Sequence, residues 1–125
     1  MFPKHGEFTI EPLDIARLIV DTLEDKKAED IILLDLRPDT ILTDFFVICT
    51  GNSDRQIRAL TEYVREAIKN QSGKLPYNVE GTPQSGWMLM DYSNVVVHVF
   101  NAEQRDYYDL QGLWSPMAHV LLSIQ

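Results

Sequence analysis

Nucleophilic catalysis needs a hydroxyl or thiol beside a base, and Ser53 is the best-placed hydroxyl in this chain. It follows Gly51-Asn52, where an apolar run gives way to a helical pattern. That is the setting of a nucleophile elbow, but the closing glycine of the motif is absent. The available bases are His5, in a terminal arm, His98, and His119, late in the chain. Ser53 reads instead as a helix N-cap. The same junction would attract an anion through free backbone N–H groups, with Arg55 in the first turn; the spacing and lysine of a phosphate loop are missing. One cysteine and three scattered histidines supply no metal-ligand pair. Asp35, Asp44 and Asp91 would hold magnesium only if their strand ends converged, and no Asp-x-Asp pair puts two carboxylates on one strand face. No catalytic, cofactor-binding or metal-binding residue is assigned on these patterns.

A different chemistry is suggested by aromatic residues set among carboxylates. Trp87 follows a glycine-containing loop and opens a strand. The segment Arg105-Asp106-Tyr107-Tyr108-Asp109-Leu110, running on to Trp114, adds two tyrosines and a second tryptophan. Trp, Tyr and Arg are the residues that most often anchor protein interfaces. Tyr107, Leu110 and Trp114 also share a helical spacing that would make them core. The core reading is favoured for Trp114 and an interface role for Trp87. His98 alternates with Val96 and Phe100, while Val95, Val97 and Val99 take the other strand face. This pattern predicts a partly buried, hydrogen-bonded histidine; a pH-responsive role is the lesser reading.

The elements that would position these residues follow from periodicity. Pro12, Ile15, Ala16, Ile19, Val20 and Leu23 form an apolar stripe of about four helical turns by the 3.6-residue repeat, with Pro12 at the first helical position. Ile31 to Leu36 and Phe45 to Thr50 are short apolar runs that predict strands buried on both faces, with a break at Pro38 to Thr40. Ser53 and Gln56 form a capping box for a helix reaching about Asn70, with Ile57, Leu60, Val64, Ala67 and Ile68 inward. Its outer face mixes Arg58 and Lys69 with Glu62 and Glu66, a salt-bridged solvent face. Ser72-Gly73 stops it. Tyr77 to Glu80 suggests a short strand, followed by a loop over Gly81 to Gly86. Trp87 to Tyr92 and Val95 to Asn101 predict a hairpin, with Asn94 suited to positive φ. Asn101 and Gln104 mark the start of a short helix over 103–114. Ser115-Pro116 opens a last helix carrying Met117, Val120, Leu121 and Ile124 on one face. The expected architecture is α/β: one domain with a mixed sheet of about five strands flanked by helices.

Composition limits the function. The 125 residues are 45% hydrophobic and 24% charged, which fits one globular domain. With 19 acidic and 11 basic residues the net charge is −8, the wrong sign for gripping many phosphates, so little direct nucleic-acid binding is expected. An acidic domain more readily meets a basic partner. The lone Cys49 sits in an apolar run and forms no intrachain disulfide. The longest strictly apolar run, Phe45 to Cys49, is far short of the ~20 residues that span a bilayer, and residues 1–6 lack a signal-peptide segment. A cytoplasmic protein without a membrane segment is expected.

Several motifs recur together. Thr43-Asp44-Phe45-Phe46-Val47-Ile48-Cys49-Thr50-Gly51-Asn52-Ser53-Asp54-Arg55-Gln56 is followed by Glu80-Gly81 and by Trp87 with Asp91. After these come Val95 to Phe100, Arg105-x-Tyr107-Tyr108-x-Leu110 and Leu113-Trp114. In this order they resemble the ribosomal silencing factor (RsfS, or Iojap) family from about residue 11 to Trp114. The resemblance divides the chain into an arm at 1–10, a family domain at 11–114 and a C-terminal helical extension at 115–125. It implies a nucleotidyltransferase-like fold without the catalytic motif, and no cofactor. It also implies a non-enzymatic protein that binds the large ribosomal subunit through ribosomal protein uL14. Binding there blocks association with the small subunit and represses translation when nutrients are scarce. Free members often form homodimers. Trp87 carries over as the principal anchor, filling an apolar pocket of the partner, with Glu80, Asp91, Tyr107, Tyr108 and Leu110 around it. Asp44 and His98 match as well and have a conformational reading. The competing expectations are a nucleotide-processing enzyme of nucleotidyltransferase-like fold and a dimeric adaptor for some other basic partner.

Overall fold

A computed structural model describes residues 11–38 and 42–125. The terminal arm, and most of the break expected at Pro38 to Thr40, lie outside the described residues. Helix α1 (Pro12–Asp25) has Pro12 in its first turn and buries Ile15, Ala16, Ile19, Val20 and Leu23, the stripe read from the periodicity. Strands β1 (Glu29–Asp35) and β2 (Phe45–Thr50) follow; every residue of β2 is buried. Helix α2 (Asp54–Ser72) turns Ile57, Leu60, Val64 and Ile68 inward, together with Thr61, and ends at Gly73. Thr61 escapes the cost of a buried hydroxyl by donating to the Ile57 carbonyl at 2.9 Å.

Strands β3 (Asn78–Thr82), β4 (Trp87–Asp91) and β5 (Val95–Phe100) complete the middle of the chain. Two short helices, α3 (Ala102–Tyr108) and α4 (Leu110–Trp114), lead to β6 (His119–Ile124). The six strands lie in the order β3-β4-β5-β2-β1-β6. Among the described strands only β2 and β5 run parallel; the other neighbours are antiparallel. This is the expected mixed α/β sheet, with one strand more than the five expected.

The extra strand corrects the expectation of a C-terminal helix at 115–125. Residues 119–124 instead pair with β1, Ile124 opposite Ile31 and Leu122 opposite Leu33. The apolar spacing of Met117, Val120, Leu121 and Ile124 suits a helix. However, the outer edge of β1 offers a row of unpaired backbone groups, which local periodicity does not register, and pairing decides the outcome.

Two smaller corrections have local causes. The helix expected over 103–114 breaks at Asp109, which adopts a left-handed conformation at φ 45°. Its side chain then accepts from the Gly112 N–H at 3.2 Å, starting α4. In the β4–β5 hairpin, positive φ falls on Ser93 at 75°, not on Asn94. The Asp91 carboxylate accepts the Ser93 N–H at 2.7 Å and steadies that turn.

The sheet has two unlike faces. Helices α1 and α2 cover one, packing on Leu33, Phe45, Val47, Cys49, Val95, Val97 and Val99. On the other, a smaller cluster of Ile32, Leu34, Leu36, Phe46, Ile48 and Phe100 is covered by Leu110, Trp114 and Ala118. The alternation along β5 therefore separates two cores, as its sequence predicts. Among the described residues, those that sheathe the second face lie near β1, β2 and β5; they leave it open toward β3 and β4, where Trp87 and Leu89 lie half-buried.

Candidate docking site

The open part of the second face is built from three sequence features. Alternation along β4 turns Met88 and Met90 into the first core, so Trp87, Leu89 and Asp91 take the other face. Register then sets Thr82, Glu80 and Asn78 of β3 opposite Trp87, Leu89 and Asp91. At Gly81, φ is +88°, and an added Cβ would land on the Trp87 carbonyl oxygen, so only glycine lets β3 pair this closely there.

Helix α3 is hooked beside the start of β4. The Asn101 side chain accepts the Gln104 N–H at 2.8 Å, and its backbone N–H donates to the Gly86 carbonyl at 2.9 Å. Arg105 fastens the helix to the sheet: its guanidinium donates to the Asp30 carbonyl at 2.7 Å and to the Thr50 hydroxyl at 2.9 Å, and also to the Gln111 side-chain carbonyl. These contacts place Tyr108 over Trp87.

The result is a connected aromatic cluster. The Trp87 ring centre lies 4.5 Å from that of Tyr108 and 5.0 Å from that of Phe100, stacked on the latter. His98 meets Phe46 edge-on at 4.8 Å, and Phe46 meets Trp114 edge-on at 5.5 Å. The Trp87 indole N–H donates to His98 Nδ1 at 3.2 Å. Because indole only donates, this bond assigns the ring proton of neutral His98 to Nε2, which is buried without a partner. Burial pushes the His98 pKa down from 6.5 to about 3. The histidine is thus a neutral acceptor, hydrogen-bonded as its strand pattern predicts but more deeply buried than the partial burial expected.

Of the residues singled out in the sequence, Glu80, Trp87 and Tyr108 line one groove of about 230 Å³, together with Gly81, Ser85, Leu89 and Gln104. Asp91 lies on the same sheet face, one alternation beyond Leu89. Tyr107 is exposed and meets Tyr108 edge-on at 5.0 Å, outside the groove. Leu110 is half-buried against the second core and does not line the groove. Trp114 packs on Phe46, in keeping with its core reading. Sequence reasoning missed Leu89, whose signal was its two-residue spacing from Trp87, and Gln104, which it read only as part of a cap.

The other candidates resolve locally. Ser53 accepts the Gln56 N–H at 3.0 Å as an N-cap. Gln56 takes the Asn52 N–H at 2.6 Å rather than that of Ser53, so the expected box closes one residue early. Asp35 pairs with Arg37 at 2.9 Å, which holds its carboxyl below the usual range. Asp44 accepts from the Asn94 side chain at 3.1 Å. Among the described residues, no group of three or more His, Cys, Asp or Glu side chains is arranged to hold a metal ion. Cys49 is buried, with its thiol pushed up to about 12 by desolvation. No helix among the described residues is long and apolar enough to cross a membrane.

What fold and site define together is a single α/β domain with one sheet face covered by two helices and one partly open face that carries an aromatic groove. The family model described as "Ribosomal silencing factor during starvation" matches residues 9–124. The ribosomal silencing factor of Halalkalibacterium halodurans is 37% identical over 101 residues, covering 81% of this chain and 86% of that protein. That of Bacillus subtilis is 37% identical over 106 residues, covering 83% and 89%. A crystal structure of a Chromobacterium violaceum protein superposes with a TM-score of 0.80 at 38% identity, covering 85% of this chain and 88% of that one. The chain belongs to the ribosomal silencing factor family, a family of regulatory, ribosome-associated proteins.

Proposed function

We propose that this protein binds the large ribosomal subunit through ribosomal protein uL14, blocks its association with the small subunit and so represses translation. It works in the cytoplasm by occupancy rather than bond chemistry, needs no cofactor, and forms a homodimer when free of the ribosome. The observation that carries this reading is the open sheet face, where the half-buried Trp87 and Leu89 lie beside Tyr108 and are bordered by Glu80 and Asp91. Apolar aromatic area supplies binding energy by leaving water. The flanking carboxylates, on a chain of net charge −8, favour a positively charged ribosomal-protein surface and speed encounter with it.

The test is a sucrose-gradient assay in which purified large subunits are incubated with the protein before small subunits are added. Fewer joined ribosomes are expected, with the protein co-sedimenting on the large subunit. Normal joining at saturating protein would overturn the reading. Trp87→Ala is expected to weaken large-subunit binding by about 2 kcal/mol or more, roughly thirtyfold; undiminished co-sedimentation of the folded variant would remove Trp87 from the interface. Turnover of nucleoside triphosphates with magnesium, abolished by Asp44→Asn, would put an enzyme in place of a blocker.

A further inference from the structure

The sequence suggests Trp87 as a knob that enters a pocket on its partner, but the geometry gives it a different shape. Its ring is half-buried and packed against both Phe100 and Tyr108, which lie 6.3 Å from each other and so do not sandwich it, and its N–H is already committed to His98. An indole held this way leaves part of its ring surface lining the groove and no free donor. With Leu89, Tyr108 and Gln104 it forms a groove of about 230 Å³ with the Glu80 carboxylate among its lining residues.

We propose that this groove is a receptor for one arginine side chain of the basic partner. The aliphatic stem lies along Leu89 and the indole, and the guanidinium reaches Glu80. This rests on the reading above, in which the partner is a basic protein surface. Three properties of the groove match that occupant. An electron-rich indole face attracts a cation. Apolar walls accept the methylene stem while the charged head stays at the rim. The Glu80 carboxylate accepts from the Asn78 side chain through Oε2 and keeps further lone pairs on both oxygens, so it can still pair with a planar guanidinium through two parallel hydrogen bonds, which an ammonium does not reproduce. Among the described residues no basic side chain lines the groove, so none of them opposes the cation. His98 enters as a positioning residue: by accepting the indole N–H it fixes the plane of the wall.

The experiment titrates the isotope-labelled full chain with N-acetyl-arginine methylamide and, in parallel, with its neutral isostere N-acetyl-citrulline methylamide. Saturable shifts of the Leu89, Tyr108 and Trp87 indole N–H resonances are expected at millimolar arginine, the range suited to so small a ligand. Citrulline should bind at least fivefold more weakly, and Glu80→Gln should bring arginine down to the citrulline level. His98→Asn, which retains an acceptor near the Nδ1 position, should keep arginine affinity within twofold. His98→Phe should move the indole N–H resonance and weaken arginine at least threefold. If His98→Phe fails to fold, Glu80→Gln and the citrulline comparison still decide the matter. Absence of saturable shifts around the groove, or equal binding of citrulline, overturns the proposal. If arginine fails to dock while Trp87→Ala still weakens large-subunit binding, the groove is wrong and the docking reading stands. If arginine docks and Trp87→Ala leaves large-subunit binding intact, the groove stands and the docking reading falls.

Discussion

Trp87 and His98 form a unit in which each compensates a liability of the other. A half-buried indole N–H without an acceptor would be costly, as would a buried imidazole nitrogen facing no donor. Their 3.2 Å hydrogen bond answers both, at the expense of an unpartnered His98 Nε2. Burial also ties this residue to pH. The folded-state pKa of about 3 lies below the ordinary 6.5, so below pH 6.5 the unfolded chain binds a proton that the folded one refuses. The stabilisation is complete above pH 6.5 and is lost as pH falls toward 3. We expect His98→Asn to flatten the acid side of the stability profile, with melting temperatures of wild type and variant measured from pH 7 to 4. Parallel profiles would show that His98 takes up its proton in the folded state.

The proposed docking face depends on how β3, β4 and α3 are joined. Gly81 holds β3 against β4 at a point where any side chain would strike the Trp87 carbonyl, and its φ of +88° would strain any L-residue. Gly81→Ala is expected to cost about 2 kcal/mol or more in urea unfolding. Because the damage falls on the β3–β4 register, groove resonances should shift while those of α1 hold still. Strand β6 has a different task. It pairs with β1 and covers its outer edge, while Val120 and Leu121 themselves remain exposed. Removing residues 119–125 leaves β1 as a bare apolar edge, the kind of edge that recruits other chains. The truncated protein should therefore lose monodispersity in light scattering at concentrations where the intact chain is unchanged.

For the molecule as a whole, the balance of 19 acidic against 11 basic residues sets a long-range field that attracts a basic surface. In the proposed docking, contact with such a surface falls to the small apolar area that α3 and α4 leave uncovered. These two contributions separate with salt. Raising ionic strength should slow association with large subunits and weaken binding, because charges at an exposed rim are screened. The apolar contribution of Trp87 should persist, so the ratio of wild-type to Trp87→Ala affinity should change little across the same series. A wild-type affinity indifferent to salt would argue against an acidic rim.

The chain's own periodicity and caps determined α1, β2, α2 and the β4–β5 hairpin. Ser53 and Asn101 mark their helix starts, and the Val95-Val97-Val99 and Val96-His98-Phe100 alternation splits β5 between two cores. Such features depend on neighbours a few residues away, so they are visible in order alone, as is the run of motifs that identifies the family. Only tertiary structure decided that residues 119–124 form a strand, that Trp87 is a wall rather than a projection, and that Glu80, Leu89 and Tyr108 share one groove. Each of those outcomes depends on backbone pairing or ring packing between segments far apart in sequence. A β1 edge in need of a partner and an Arg105 reaching Asp30 and Thr50 leave no local trace in the residues they constrain.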